Sequence, residues 1–142
     1  MPAAEAARRS IPLLATVVAT TMVSGPPQKV ASIPAVAARR VLDRADVSLD
    51  DVALIEINEA FAAVPLVSTL VLAEGDARVA ERLREKTNVN GGAVAIGHPT
   101  GATGARLVMT LAFELARRGG GLGLVTICGG IGEGEAVLIR VG

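Results

Sequence analysis

Tryptophan and tyrosine are absent from this 142-residue sequence, phenylalanine occurs twice, and cysteine and histidine once each. Each scarcity excludes something. A single cysteine rules out an internal disulfide. One Cys and one His do not supply the ligands of a structural zinc site, so no metal site is expected. Without large rings, the core must be built from small aliphatic side chains at close range, with glycine where backbones approach. Charge has no bias: Lys+Arg and Asp+Glu number 14 each, for a formal net charge of zero. No basic patch points to nucleic acid, and no acidic run to a solvating tail. The longest apolar run near the start, Ile11 to Val23, is too short to span a membrane and carries Thr16, Thr20 and Thr21. The first residues lack the order of a secretory signal. A lone thiol suits a reducing compartment, and a cytoplasmic location is expected.

What is present is a folding chain. Hydrophobic residues make up 51% of it, too many for disorder. The length fits one domain over residues 1–142. "IPLLATVVATTMV" reads as a strand buried on both faces. Pro26 and Pro27 make the next segment a loop. "IPAVAARRVLDRA" reads as a helix, with Ser32 as its N-cap and Pro34 in its first turn. "DVALIEI" is a second strand. "NEAFAAVPLVSTLVLAE" is a helix opened by Asn58 and kinked at Pro65. "GDARVAERLREKT" is a polar helix, and "GAVAI" a short buried strand. "GATGARLVMTLAFELARR" is a helix apolar nearly all round, interrupted by Arg106 and Glu114, and so buried on most sides. "GLGLVTIC" and "GEAVLIRV" form two closing strands joined by a glycine turn. This alternation predicts an α/β fold with a mostly parallel sheet, helices covering it and an antiparallel pair at the end.

Three polar clusters adjoin predicted strands: Glu56–Phe61, Asn90–Gly101 and Cys128–Gly134. In open α/β sheets, loops beyond the strand carboxyl ends bind ligands. His98 stands between Gly97, which lets the chain turn, and Pro99, which keeps His98 extended. It can be read as a cap or as a reactive group at the start of the apolar helix. Cys128 leads into successive glycines whose N–H groups can cradle an oxyanion; it can equally be a small core hydrophobe. Asn58 reads first as a helix cap, although its amide could hold a water. Glu59 reads as a first-turn partner of the helix dipole rather than a catalytic base. Phe61 reads most simply as core. Gly97, Gly101 and Gly104 fit neither of the common phosphate-loop patterns.

Together these clusters resemble the thiolase family, the acetyl-CoA acetyltransferases and 3-ketoacyl-CoA thiolases. The resemblance is carried by "NEAFA" at 58–62, "NVNGGAVAIGHPTGATGAR" at 88–106 and "CGGIGEG" at 128–134. It implies the second of two similar halves: a thiolase-like C-terminal domain with a βαβαβαββ mixed sheet and covering helices. The family's acyl-accepting cysteine belongs to the first half and has no counterpart in these residues. The implied activity is Claisen chemistry on acyl-CoA, forming or cleaving a β-ketoacyl-CoA, without a cofactor beyond the coenzyme A thioester substrates. The resemblance implies that His98 is base and thioester-oxygen donor, that Asn58 holds a water beside it, and that Cys128 exchanges the α-proton. It implies further that the Gly130 N–H joins an oxyanion hole and that Phe61 borders the acyl pocket. The implied partners are acyl-CoA, an N-terminal thiolase half and further copies of the assembly, with no nucleic acid. The alternative is a non-catalytic thiolase-like module that binds acyl-CoA or a protein. One departure stands out: Ile131 occupies a position where the family often has glycine, and Ile does not easily adopt positive φ.

Overall fold

A computed structural model describes all 142 residues. After a short helix α1 (Ala3–Arg8) come β1 (Thr16–Ser24), α2 (Ile33–Ala45), β2 (Val52–Ile57), α3 (Ala63–Leu72), α4 (Ala77–Glu85), α5 (Ala93–Ile96), α6 (Thr103–Arg117), β3 (Gly121–Cys128) and β4 (Glu133–Val141). The strands form one mixed sheet in the order β1-β4-β3-β2. β2 and β3 are parallel, while β3–β4 and β4–β1 are antiparallel. The expected α/β fold with a mixed sheet and covering helices is present, although antiparallel pairing outweighs the expected parallel pairing. The parallel pair requires a long crossover, and α3 to α6 supply it.

Side chains alternate between two covered faces. Ile55 and Ile57 of β2 join Leu124 of β3 and Leu138 of β4 beneath α2, whose Ala37, Ala38 and Val41 are fully buried. On the other face, Leu54, Val125 and Ile139 meet Leu107, Leu111 and Leu115 of α6. A glycine sets the distance of that second layer. A Cβ on Gly123 would lie 2.6 Å from Leu111 Cδ2 and 2.7 Å from Leu115 Cδ1. The small-residue composition thus becomes close helix–sheet packing.

Several local expectations are corrected. The first strand begins at Thr16 rather than Ile11, and it is largely exposed because it forms the sheet edge and pairs only with β4. "GAVAI" is not a strand: Ala93–Ile96 make one helical turn, with Val94 and Ile96 exposed. The neighbouring chain contributes only a single parallel bridge, Thr87 to Ile55. α3 starts five residues after Asn58, and Pro65 sits in its first turn, where a missing N–H breaks no helical bond. Ser32 stands at the N-cap position of α2 but does not cap it; its hydroxyl donates to Lys29 O. α6 is buried along one side only, and Met109 and Phe113, one turn apart, are 55% and 62% exposed. Glu114 is buried, and its carboxylate accepts from Arg117 and Arg118 at the helix end.

Candidate active site

The parallel pairing of β2 and β3 brings their carboxyl ends side by side, and two of the polar clusters begin there. Asn58 directly follows β2, and its N–H extends the ladder to Thr126 O at 3.0 Å. That bond explains why Asn58 cannot act as a helix cap: its backbone still belongs to the sheet. Cys128 is the last residue of β3. The third cluster arrives from outside the sheet. α5 ends at Gly97, whose φ of 89° is open to glycine but strained for other residues, and the chain swings there to present His98. A cavity of about 610 Å³ lies between these ends, with Phe61, His98, Thr100, Cys128, Gly130 and Glu135 in its wall.

Hydrogen bonds orient the His98 ring. Its Nδ1 lies 2.7 Å from Thr103 Oγ1, and that hydroxyl donates to Pro99 O at 3.0 Å. With its proton so placed, Thr103 Oγ1 accepts from Nδ1–H. Nε2 then carries the free lone pair, and Asn58 Nδ2 donates to it at 3.3 Å. A hydrogen bond at one ring nitrogen thereby sets the chemistry of the other. Asn58 and Thr103 are fully buried, whereas the His98 residue is exposed toward the cavity. Asn58 Oδ1 has no protein partner.

Cys128 is 8% exposed and unpaired. Burial pushes its thiol above the ordinary range, while the backbone amides of Cys128 and Gly130 pull it back. The turn after it closes through Gly129 N–H to Glu133 O at 2.8 Å. Gly130 and Gly132 take the positive φ values, 90° and 102°, and Ile131 does not. The isoleucine is therefore compatible with the turn, and its side chain is exposed. Phe61 is 45% exposed in the cavity wall, not in the core.

The sequence gives no role to Thr103 or Glu56, and Glu59, expected as a first-turn dipole partner, lies four residues before α3 begins. Thr103, five residues after His98 at the start of α6, was visible only as one more residue of a glycine-rich turn. Glu59 reaches away from α3 and binds the segment before His98. Glu56, 1% exposed, has its carboxyl pushed up to about 7 by burial; Arg106 opposes that rise and Glu59 adds to it. Glu56 Oε2 and the Arg106 guanidinium nitrogens have no hydrogen-bond partner within the chain.

Residues 11–141 match the family described as "Thiolase, C-terminal domain". The chain belongs to the thiolase family. It is 43% identical over 140 residues to a probable acetyl-CoA acetyltransferase of Mycolicibacterium smegmatis, with 99% of this chain and 34% of that protein covered. It is 44% identical over 128 residues to a β-ketoadipyl-CoA thiolase of Acinetobacter baylyi, with 89% and 30% covered. The solved structure of the Bacillus anthracis acetyl-CoA acetyltransferase superposes with a TM-score of 0.89 at 40% identity, over 99% of this chain and 34% of that one. This thiolase domain thus spans about a third of the length of the relatives it matches. No helix in it is long and apolar enough to cross a membrane.

Proposed function

We propose that this domain is the C-terminal catalytic half of an acyl-CoA C-acyltransferase that makes or breaks the carbon–carbon bond of β-ketoacyl-CoA. The observation that carries this reading is the convergence of an oriented imidazole and a thiol on one cavity, from segments 30 residues apart in the chain. The chemistry needs two proton-handling groups. In the condensing direction, the first half-reaction has a cysteine of the N-terminal half attack the acyl carbon of one acyl-CoA; His98 Nε2 takes the cysteine's proton and returns it to the coenzyme A thiolate that leaves. In the second, Cys128 exchanges the proton on the α-carbon of the other acyl-CoA. Burial favours its thiol, the form that protonates the departing carbanion during thiolysis. Condensation needs the thiolate, which the Gly130 N–H helps to stabilise. Asn58, with Oδ1 unpartnered, holds a water beside Nε2. That water and His98 serve the thioester oxygen of one step, and the Gly130 amide serves that of the other. Losing one such donor typically costs about 10²–10³ in rate.

The reaction requires no cofactor beyond the coenzyme A thioesters that are its substrates, and Phe61 borders the acyl chain. A free catalytic thiol suits the reducing cytoplasm. The exposed Met109–Phe113 face of α6 is the surface on which the N-terminal half packs, and the completed units assemble further.

The test is reconstitution. This chain, co-expressed with an N-terminal thiolase half that carries a cysteine, should co-purify with it and thiolyse a β-ketoacyl-CoA; the chain alone should not. A stable complex that binds acyl-CoA without turnover would instead identify a non-catalytic module.

A further inference from the structure

Two consecutive residues hold His98 from opposite ends. Asn58 touches the ring, and Glu59 holds the backbone that leads to it. The four-residue turn α5 begins after Gly92, which has no side chain with which to cap it. A helix start leaves N–H groups without partners, and here the Glu59 carboxylate supplies one from 35 residues earlier: Oε2 accepts from Val94 N at 2.8 Å. Oε1 accepts from Asn88 Nδ2 at 3.2 Å. Asn88 in turn copies a strand along the edge of β2, with Oδ1 accepting from Ile57 N at 2.8 Å and Nδ2 donating to Ile57 O at 2.9 Å. The end of β2, Asn88 and α5 are thereby tied to one carboxylate.

Gly92 supplies the room. A Cβ there would lie 2.5 Å from Glu59 Oε2 and 2.7 Å from Oε1. The Gly92 backbone, at φ −126° and ψ −160°, is extended and open to any residue. Its glycine is thus required by the carboxylate's position and not by its own conformation. From α5 the chain passes through Gly97 directly into His98, so the position of α5 sets where the His98 backbone starts.

We infer that Glu59 is a positioning residue for His98: its carboxylate, seated over Gly92, holds α5 so that the ring keeps the Nδ1–H form with Nε2 facing the cavity. The importance of that placement for turnover rests on the function proposed above; the placement itself does not.

Because His98 is the only histidine, ¹⁵N-histidine labelling of the 142-residue chain reports its tautomer without overlap. The parent should show predominantly the Nδ1–H form. Glu59→Ala should raise the minor tautomer at least about fivefold, since both hydrogen bonds that select the form become intermittent. Glu59→Gln retains an oxygen for Val94 N–H but turns an NH2 group toward Asn88 Nδ2, so it should lie between the parent and Glu59→Ala. Gly92→Ala displaces the carboxylate and should reproduce Glu59→Ala. The double variant Glu59→Ala/Gly92→Ala should be no worse than Glu59→Ala alone, because the clash has been removed. If Glu59→Ala does not fold, the contrast between Gly92→Ala and Glu59→Gln makes the same test. Parent-like imidazole signals in Gly92→Ala, or fully additive effects in the double variant, would overturn the inference. If the tautomer shifts as expected while His98→Ala leaves the assembled enzyme at the parent rate, the positioning role stands and the catalytic role of His98 falls.

Discussion

Glu56 should make the stability of this domain decrease as pH rises across the neutral range. Its carboxyl is buried, and burial moves its pKa from 4.5 to about 7. Between those values the folded chain keeps a proton that the unfolded chain has released. The stabilisation linked to this proton is fully present below about 4.5, declines as pH rises, and is gone above about 7. At about 1.36 kcal/mol per pH unit, this interval sets a ceiling of about 3.4 kcal/mol, and structural relaxation around the charged form makes about 1–3 kcal/mol the expected range. Glu56→Gln keeps the size and polarity of the side chain but cannot ionise. Urea unfolding from about pH 4.5 to about pH 8 should show the variant gaining on the parent as pH rises, and leading by about 1–3 kcal/mol at the alkaline end. Other carboxyls contribute to both curves. Glu114, held well below the usual range by its hydrogen bonds to Arg117 and Arg118, works in the opposite direction at acid pH. The difference between parent and variant isolates Glu56. A difference that does not change with pH, or a parent that gains on the variant as pH rises, would refute the argument.

Two further perturbations probe the scaffold. Gly123→Ala places a methyl against Leu111 and Leu115 and should destabilise the fold by about 1–3 kcal/mol in denaturant titrations, with no loss in the α2 face. Asp76 caps α4 by accepting from Arg78 N at 2.8 Å and Val79 N at 3.0 Å; Asp76→Ala should cost about 1 kcal/mol, read as faster amide exchange confined to α4.

Legibility in the sequence follows the range of the interactions. α2 spans Ile33–Ala45, the expected residues, because its period and its Pro34 are local signals. The β3–β4 hairpin was equally plain from its glycine turn. "GAVAI" misled because a five-residue apolar run does not distinguish a strand from a helical turn. What decides it is Glu59, far away in sequence, together with the reversal at Gly97. The start of β1 failed for a related reason: its apolar run continues past the point where β4 stops pairing with it. α6 looked buried on most sides because its apolar residues extend beyond the one face that this chain covers. At the site, the motif residues were readable one at a time. The Thr103 hydroxyl that selects the His98 tautomer was not, because a single threonine at a helix start has many ordinary uses.

In the proposed reaction, His98 and Cys128 handle protons in two different steps at one cavity. The most direct measurement is acyl-enzyme burst size against steady-state turnover for the pair reconstituted with an N-terminal half. His98→Ala should abolish both burst and turnover, since acylation needs the Nε2 base. Cys128→Ala should keep the burst with a simple thioester and lose carbon–carbon bond formation. Condensation at the parent rate in Cys128→Ala, or acylation at the parent rate in His98→Ala, would contradict the assignment.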